Sequence, residues 1–133
     1  MTVTHEQLVT AAEEHGRRYV EAFNSGDIET INGMYTEDAI SVWQPGVPLS
    51  GQARKDNLAE FMSQRPKMTA TLREAHVTGN TALLVVDWQI DLVTEDGAEH
   101  LDGVGLDVLR LGEDGQWRFA IDNPFGQTPV PAA

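Results

Sequence analysis

The sequence contains no cysteine, which excludes disulfide bonds, thiolate nucleophiles and zinc–thiolate sites and suits a reducing, cytoplasmic setting. Basic residues are scarce as well. Nine Lys and Arg against 21 Asp and Glu give a net charge of −12, so no basic face is available to neutralise phosphates, and the acidic field repels nucleic acid and anionic membranes. The longest apolar run, Ala82–Val86, falls far short of the roughly 20 residues a membrane helix needs. The opening MTVTHEQLV has neither the basic region nor the apolar stretch of a signal peptide. His5, His15, His76 and His100 are widely separated and show no metal-ligand spacing, so no metal is expected. Dinucleotide, P-loop and nucleophile-elbow motifs are all missing, so no cofactor is expected either.

What is present fits one domain. The chain has 133 residues, 41% of them apolar, enough to bury roughly two-thirds of the unfolded surface around a single core. That domain is expected over residues 1–126, followed by a Pro/Ala-containing tail at 127–133 that cannot form a packed element. Thr4 and Gln7 stand at capping-box spacing. Leu8, Ala12, His15, Tyr19 and Phe23 then recur on one face of a helix. Gly26 is placed to end it and Asp27 to cap a second short helix that carries Ile31, Met34 and Tyr35. Ala39–Gln44, closed by Pro45-Gly46, reads as a first strand, and Ser50 as the cap of a third helix ending before Pro66. Beyond Met68 the texture is that of a meander: Met68–Val77, Ala82–Thr94, Glu99–Leu111 and Gln116–Asp122, separated by turn residues. Helices first and a curled sheet afterwards define an α+β domain whose helices cover the concave face of the sheet.

With that order in hand, the stretch RRYVEAFNSGDIETINGMYTEDAISVWQPG resembles the opening of the nuclear transport factor 2-like superfamily, in particular its SnoaL-like and ketosteroid isomerase-like members. The later S-G-x-A at Ser50–Ala53 and D-G-x-W at Asp114–Trp117 extend the likeness over most of the chain. The resemblance implies a cone-shaped α+β fold with a mixed or antiparallel sheet, an apolar cavity, a homodimer, and no single fixed activity. In ketosteroid isomerase a helix tyrosine and a protonated aspartic acid bind an oxyanion while a second aspartate acts as base. Carried over by motif, the tyrosine falls on Tyr19 and the protonated acid on Asp107, while the base position falls on Trp43, which cannot abstract a proton.

The remaining candidates follow from alternation and pairing. Trp88 shares a strand face with Val86, Ile90 and Leu92, and this face is expected to be the concave one. Phe23, Trp43, Phe61, Trp88 and Leu109 are candidates to line a cone suited to a flat, uncharged, hydrophobic ring molecule. Tyr35 is the expected partner of the Tyr19 hydroxyl. If Leu111 pairs with Gln116 across the last turn, Asp107 stands opposite Ala120 with Arg118 and Asp122 as diagonal neighbours, and Asp122 becomes the candidate base. Such an Asp-Arg-Asp trio is similar to the water-activating trio of limonene epoxide hydrolase. By alternation alone, however, Leu106, Val108, Trp117, Phe119 and Ile121 form the more apolar face of that hairpin. It is either the core, leaving Asp107 and Arg118 in solvent, or a convex face covered by a second subunit. Two functions stay open: a cofactor-free isomerase, cyclase or hydratase using Tyr19, Asp107 and Asp122, or a non-catalytic domain that binds a hydrophobic molecule or serves dimerisation.

Overall fold

A computed structural model describes residues 3–126; the expected tail at 127–133 lies outside the described residues. Three helices, α1 (His5–Ser25), α2 (Ile28–Gly33) and α3 (Gly51–Met62), pack against one sheet. Its strands are β1 (Tyr35–Gln44), β2 (Val47–Ser50), β3 (Lys67–Thr78), β4 (Thr81–Thr94), β5 (Gly97–Leu111) and β6 (Trp117–Asn123). The strand order is β2-β1-β6-β5-β4-β3, and every neighbouring pair is antiparallel except β1 with β6. The result is the expected mixed sheet, open at both edges and curled around the helices. No helix among the described residues is long and apolar enough to cross a membrane.

Local sequence explains the entry into the fold. Both halves of the capping box form, with the Thr4 hydroxyl accepting from Gln7 N and the Gln7 side chain from Thr4 N. At the far end of α1 the F-N-S-G-D run works residue by residue. Asn24 bonds both backbone groups of Met68, at 2.8 and 2.6 Å, tying α1 to the start of β3. Gly26 takes the left-handed conformation, φ 76°, that ends the helix without a side-chain clash, and Asp27 caps α2 through Thr30 N. The buried stripe Ala12, His15, Tyr19, Ala22 and Phe23 lies against the concave side of the sheet, where Trp117 Nε1 donates to the Leu8 carbonyl at 3.2 Å. His15 is held there by Phe119 and by donating to the Met34 carbonyl, and burial pushes its pKa down to about 4.

Four readings of the sequence need correction. Tyr35 opens β1 rather than closing α2, which stops at Gly33. A short strand, β2, occupies Val47–Ser50, because the chain doubles back at Pro45-Gly46 and pairs with β1 before entering α3. Ser50 stands at the N-cap of α3, yet its side chain makes no capping bond. The fourth concerns the last hairpin. Leu111 pairs with Trp117, not Gln116, and an extra residue, Ala120, bulges out between the pairs Leu109 with Phe119 and Val108 with Ile121. A one-residue slip turns every side chain to the other face and the bulge then restores the phase. Trp117 and Phe119, each 3% exposed, therefore belong to the core, whereas Leu106, Val108 and Ile121 remain on the convex side.

Candidate active site

A cavity of about 220 Å³ lies between α1 and the concave face of the sheet. Leu84, Val86 and Trp88 of β4, Phe119 of β6 and Trp43 of β1 supply most of its apolar wall, and Arg17 of α1 with Ala70 of β3 mark its open side. The Trp88 face of β4 is concave, as alternation implies. Its indole lies flat over Gly103 and Gly105, where an added Cβ at Gly103 would come within 3.1 Å of the ring. The ring N–H donates to the Pro124 carbonyl at 2.7 Å.

Polar atoms gather at one place in this wall. The two-residue displacement of the hairpin relative to the simple register sets Asp107 directly opposite Asp122, and both line the cavity with Tyr19. Tyr35 Oη donates to Asp122 Oδ2 at 2.7 Å, and the Tyr19 and Tyr35 hydroxyls are 2.9 Å apart. Because the single Tyr35 proton is committed to the carboxylate, Tyr19 must be the donor in the second bond. The hydroxyl of Tyr19 thus directs its proton away from the cavity. Burial raises the pKa of both tyrosines well above the usual phenol value, reinforced by the Asp122 charge.

The two carboxyl groups have different surroundings. Burial first, and then the charge of Asp122, raises the Asp107 pKa well above the usual carboxylate value. Burial also raises Asp122, but the bonds from Tyr35 and Asp107 and the charge of Arg54 oppose it. Facing carboxyls in an apolar wall hold one proton between them, and these neighbours assign it to Asp107. The remaining Asp107 oxygen, Oδ1, is buried without a hydrogen-bond partner among the described residues.

Arg54 is the site residue that the sequence reading missed. It is 4% exposed, with its guanidinium 4.3 Å from the centre of the Tyr35 ring and Nη1 donating to Asn32 Oδ1 at 3.4 Å. The signal was its helical spacing with Leu58 and Met62, the buried stripe of α3: a charged residue on an apolar stripe needs a buried partner. Arg118, by contrast, is not in the Asp107–Asp122 cluster. The slip at the turn sends its side chain to the opposite face, where it pairs with Asp114 at 2.7 Å. The trio expected from the simple register does not form. Phe23 and Leu109 are fully buried packing residues outside the cavity wall, and Phe61 lines a separate cleft against Trp43. Among the described residues no group of three or more His, Asp or Glu side chains is arranged to hold a metal ion.

Three helices on an open, curled six-stranded mixed sheet, around an apolar cavity whose wall holds Tyr19 and the acid pair, form a nuclear transport factor 2-like domain. Within that class the chain belongs to the SnoaL-like domain family, whose model matches residues 16–120. No curated protein is similar enough to count as a match. Among solved structures, a conserved protein from Planctomyces limnophilus superposes with a TM-score of 0.77 at 17% identity, covering 87% of this chain and 93% of that one. A dehydratase candidate of the NTF2-like family from Streptomyces avermitilis gives 0.72 at 23% identity, with 90% and 96% covered. A scytalone dehydratase candidate from Novosphingobium aromaticivorans gives 0.70 at 21%, with 86% and 80% covered. At these identities the likeness concerns the fold.

Proposed function

We propose that the protein is a cofactor-free acid–base enzyme of the isomerase, cyclase or hydratase–dehydratase kind, acting on a hydrophobic ring molecule that carries a carbonyl or hydroxyl group. The observation that carries this reading is the Asp107–Asp122 pair, two carboxyls set directly opposite each other in the wall of an apolar cavity, with burial raising both and Asp107 the more strongly. Asp122, ionised and oriented by Tyr35, takes a proton from the substrate. Asp107, protonated, turns its proton from the bond with Asp122 to the substrate oxygen, while its other oxygen, Oδ1, stays an unpartnered acceptor. Dehydration uses both groups: Asp122 receives the proton from carbon, Asp107 gives one to the departing hydroxyl, and water leaves. The proton then passes from Asp122 to Asp107 across the pair, which restores the starting state. The names of two structural neighbours, both dehydratase candidates, agree with this variant.

A two-ring phenol tests the reading without knowledge of the substrate. In this view 2-naphthol quenches Trp43 and Trp88 fluorescence with micromolar affinity, about 8 kcal/mol, and carboxyl NMR titration finds a raised pKa at Asp107. Tyr19→Phe should change that affinity less than tenfold, since the Tyr19 proton is already given to Tyr35. Ordinary pKa values at both carboxyls would remove the acid–base role. A second reading, a non-catalytic ligand-binding domain, draws on Trp43, which fills the place where the resembling isomerases carry their base. Binding of 2-naphthol without a raised carboxyl pKa would decide for it.

We further propose that the protein acts as a homodimer through the convex face. A row of apolar side chains, Ile40, Ile121, Val108 and Leu83, crosses four neighbouring strands in register, and Ile40 and Ile121 are 37% and 39% exposed. All three helices lie on the other side of the sheet, so this row has no cover among the described residues. Sedimentation at micromolar concentration should give the dimer mass, and Ile121→Asp should give the monomer. A wild-type monomer would refute the assignment.

A further inference from the structure

A second cleft, of about 370 Å³, lies on the far side of Trp43, with Phe61 and Leu58 of α3, Val47 and Leu49 of β2 and Leu101 of β5 as its apolar wall and Asn57, Glu60 and Gln64 at its polar rim. Among the described residues Trp43 is the one side chain that belongs to the walls of both spaces. Its position is set by an irregularity in the pairing of β1 with β2 between Ser41 and Gln44, which re-aims the side chain at this point of the strand. The indole is held from both sides: the Phe61 ring is 5.3 Å away at a tilt and the Trp88 ring 5.8 Å away edge-on. Trp88 is in turn fixed by its bond to the Pro124 carbonyl, so the stack is anchored at the cavity end.

We propose that Trp43 is a partition that sets the size of the ligand, confining it to one or two rings beside Asp107 and Asp122 and denying it the outer cleft. This rests on the cavity being the binding site and specifies what enters it. The inner space, about 220 Å³ and open on the side of Arg17 and Ala70, is below the roughly 300–1,000 Å³ of pockets that take drug-sized ligands. A flat molecule of three or four fused rings is buried along its whole length only if the space beyond Trp43 is joined to it. The ligand that the acid pair meets is therefore a small aromatic or alicyclic molecule with one oxygen function directed at Asp107.

Calorimetry with two phenols of different size separates the outcomes. Wild-type protein should bind 2-naphthol at micromolar concentration and 1-hydroxypyrene at least tenfold more weakly. Trp43→Ala should improve 1-hydroxypyrene binding tenfold or more, and Leu101→Trp added to that variant, which refills the outer cleft, should reverse the gain. Trp43→Leu keeps an apolar side chain on β1 and should show the same change in smaller measure if Trp43→Ala does not fold. Equal affinity of the wild type for both phenols, or folded Trp43 variants with no gain for the larger one, would overturn the partition while leaving the cavity as a site. Failure of 2-naphthol itself to bind would overturn the partition and the proposed function together.

Discussion

Protein carrying Asp107→Leu is expected to be more stable than the wild type at neutral pH, by about 1–3 kcal/mol, and to have lost its acid. The stability follows from the buried Oδ1 atom that has no partner: an unsatisfied buried acceptor is destabilising on that scale, and an apolar side chain of similar size removes it. The direction of the pH dependence is fixed by the raised pKa of Asp107. A carboxyl whose pKa is higher in the folded than in the unfolded chain contributes stability that is complete below the unfolded value and is lost as pH rises through the folded value. The wild type should therefore weaken from acid toward neutral pH relative to the variant, and the gap between them should widen. Urea unfolding from pH 4 to 8 reads this directly. Turnover, once a substrate is found, should fall by about a hundredfold or more, the usual contribution of a positioned acid. A variant less stable than the wild type at pH 8 would mean that the Asp107 carboxyl is satisfied and carries no strain. The exchange of stability for a reactive group is the pattern expected of a site kept for chemistry rather than for folding.

The Asp107–Asp122 pairing also marks the limit of what the sequence makes legible. Helix α1 is readable because each feature is local: the capping box, the buried stripe at helical spacing, and the glycine after Asn24-Ser25. The faces of β4 are readable from alternation, since Trp88, Ile90 and Leu92 stand against Asp87, Gln89 and Asp91. The last hairpin is not, because its register depends on a five-residue turn and a bulge at Ala120 that leave no mark in a two-residue period. One slip is enough to trade Arg118 for its neighbours on the wrong face and to make Trp117 look convex. Asp107 and Asp122 are recovered as neighbours in either register, but only the bulge sets them directly opposite each other. Arg54 escaped notice for a different reason: α3 has a weak apolar stripe, and a charge within it stands out only when its contact with the Tyr35 ring is seen. Trp43 is legible in the sequence as an aromatic at the position where the resemblance puts a base, while its place between two spaces depends on packing that no local pattern encodes.

Trp88→Ala is expected to have the largest effect on the fold of any single change in the cavity wall, a loss of about 3–5 kcal/mol. The indole is 5% exposed and touches elements that are far apart in sequence. Trp43 of β1 packs on it edge-on, Phe125 lies 5.3 Å away, and Gly103 and Gly105 of β5 form the flat seat beneath it. Its ring N–H holds the chain after β6 through the Pro124 carbonyl at 2.7 Å. Removal leaves a void that the neighbours cannot fill, since the glycines have no side chains to move inward, and frees a buried carbonyl. Trp88→Phe separates the two contributions: it keeps most of the ring contact and loses the bond, so the loss should be about 1 kcal/mol from the hydrogen bond, with a further part from the smaller ring. For a domain whose whole stability is of the order of 5–15 kcal/mol, the alanine protein should unfold at much lower urea with its m-value unchanged. If it remains folded, its affinity for 2-naphthol should fall by roughly 1–3 kcal/mol, because the same ring face lines the cavity. A loss of stability below about 1 kcal/mol would mean that the indole is not seated on Gly103 and Gly105. Unchanged naphthol binding in a folded alanine protein would place the ligand away from this wall.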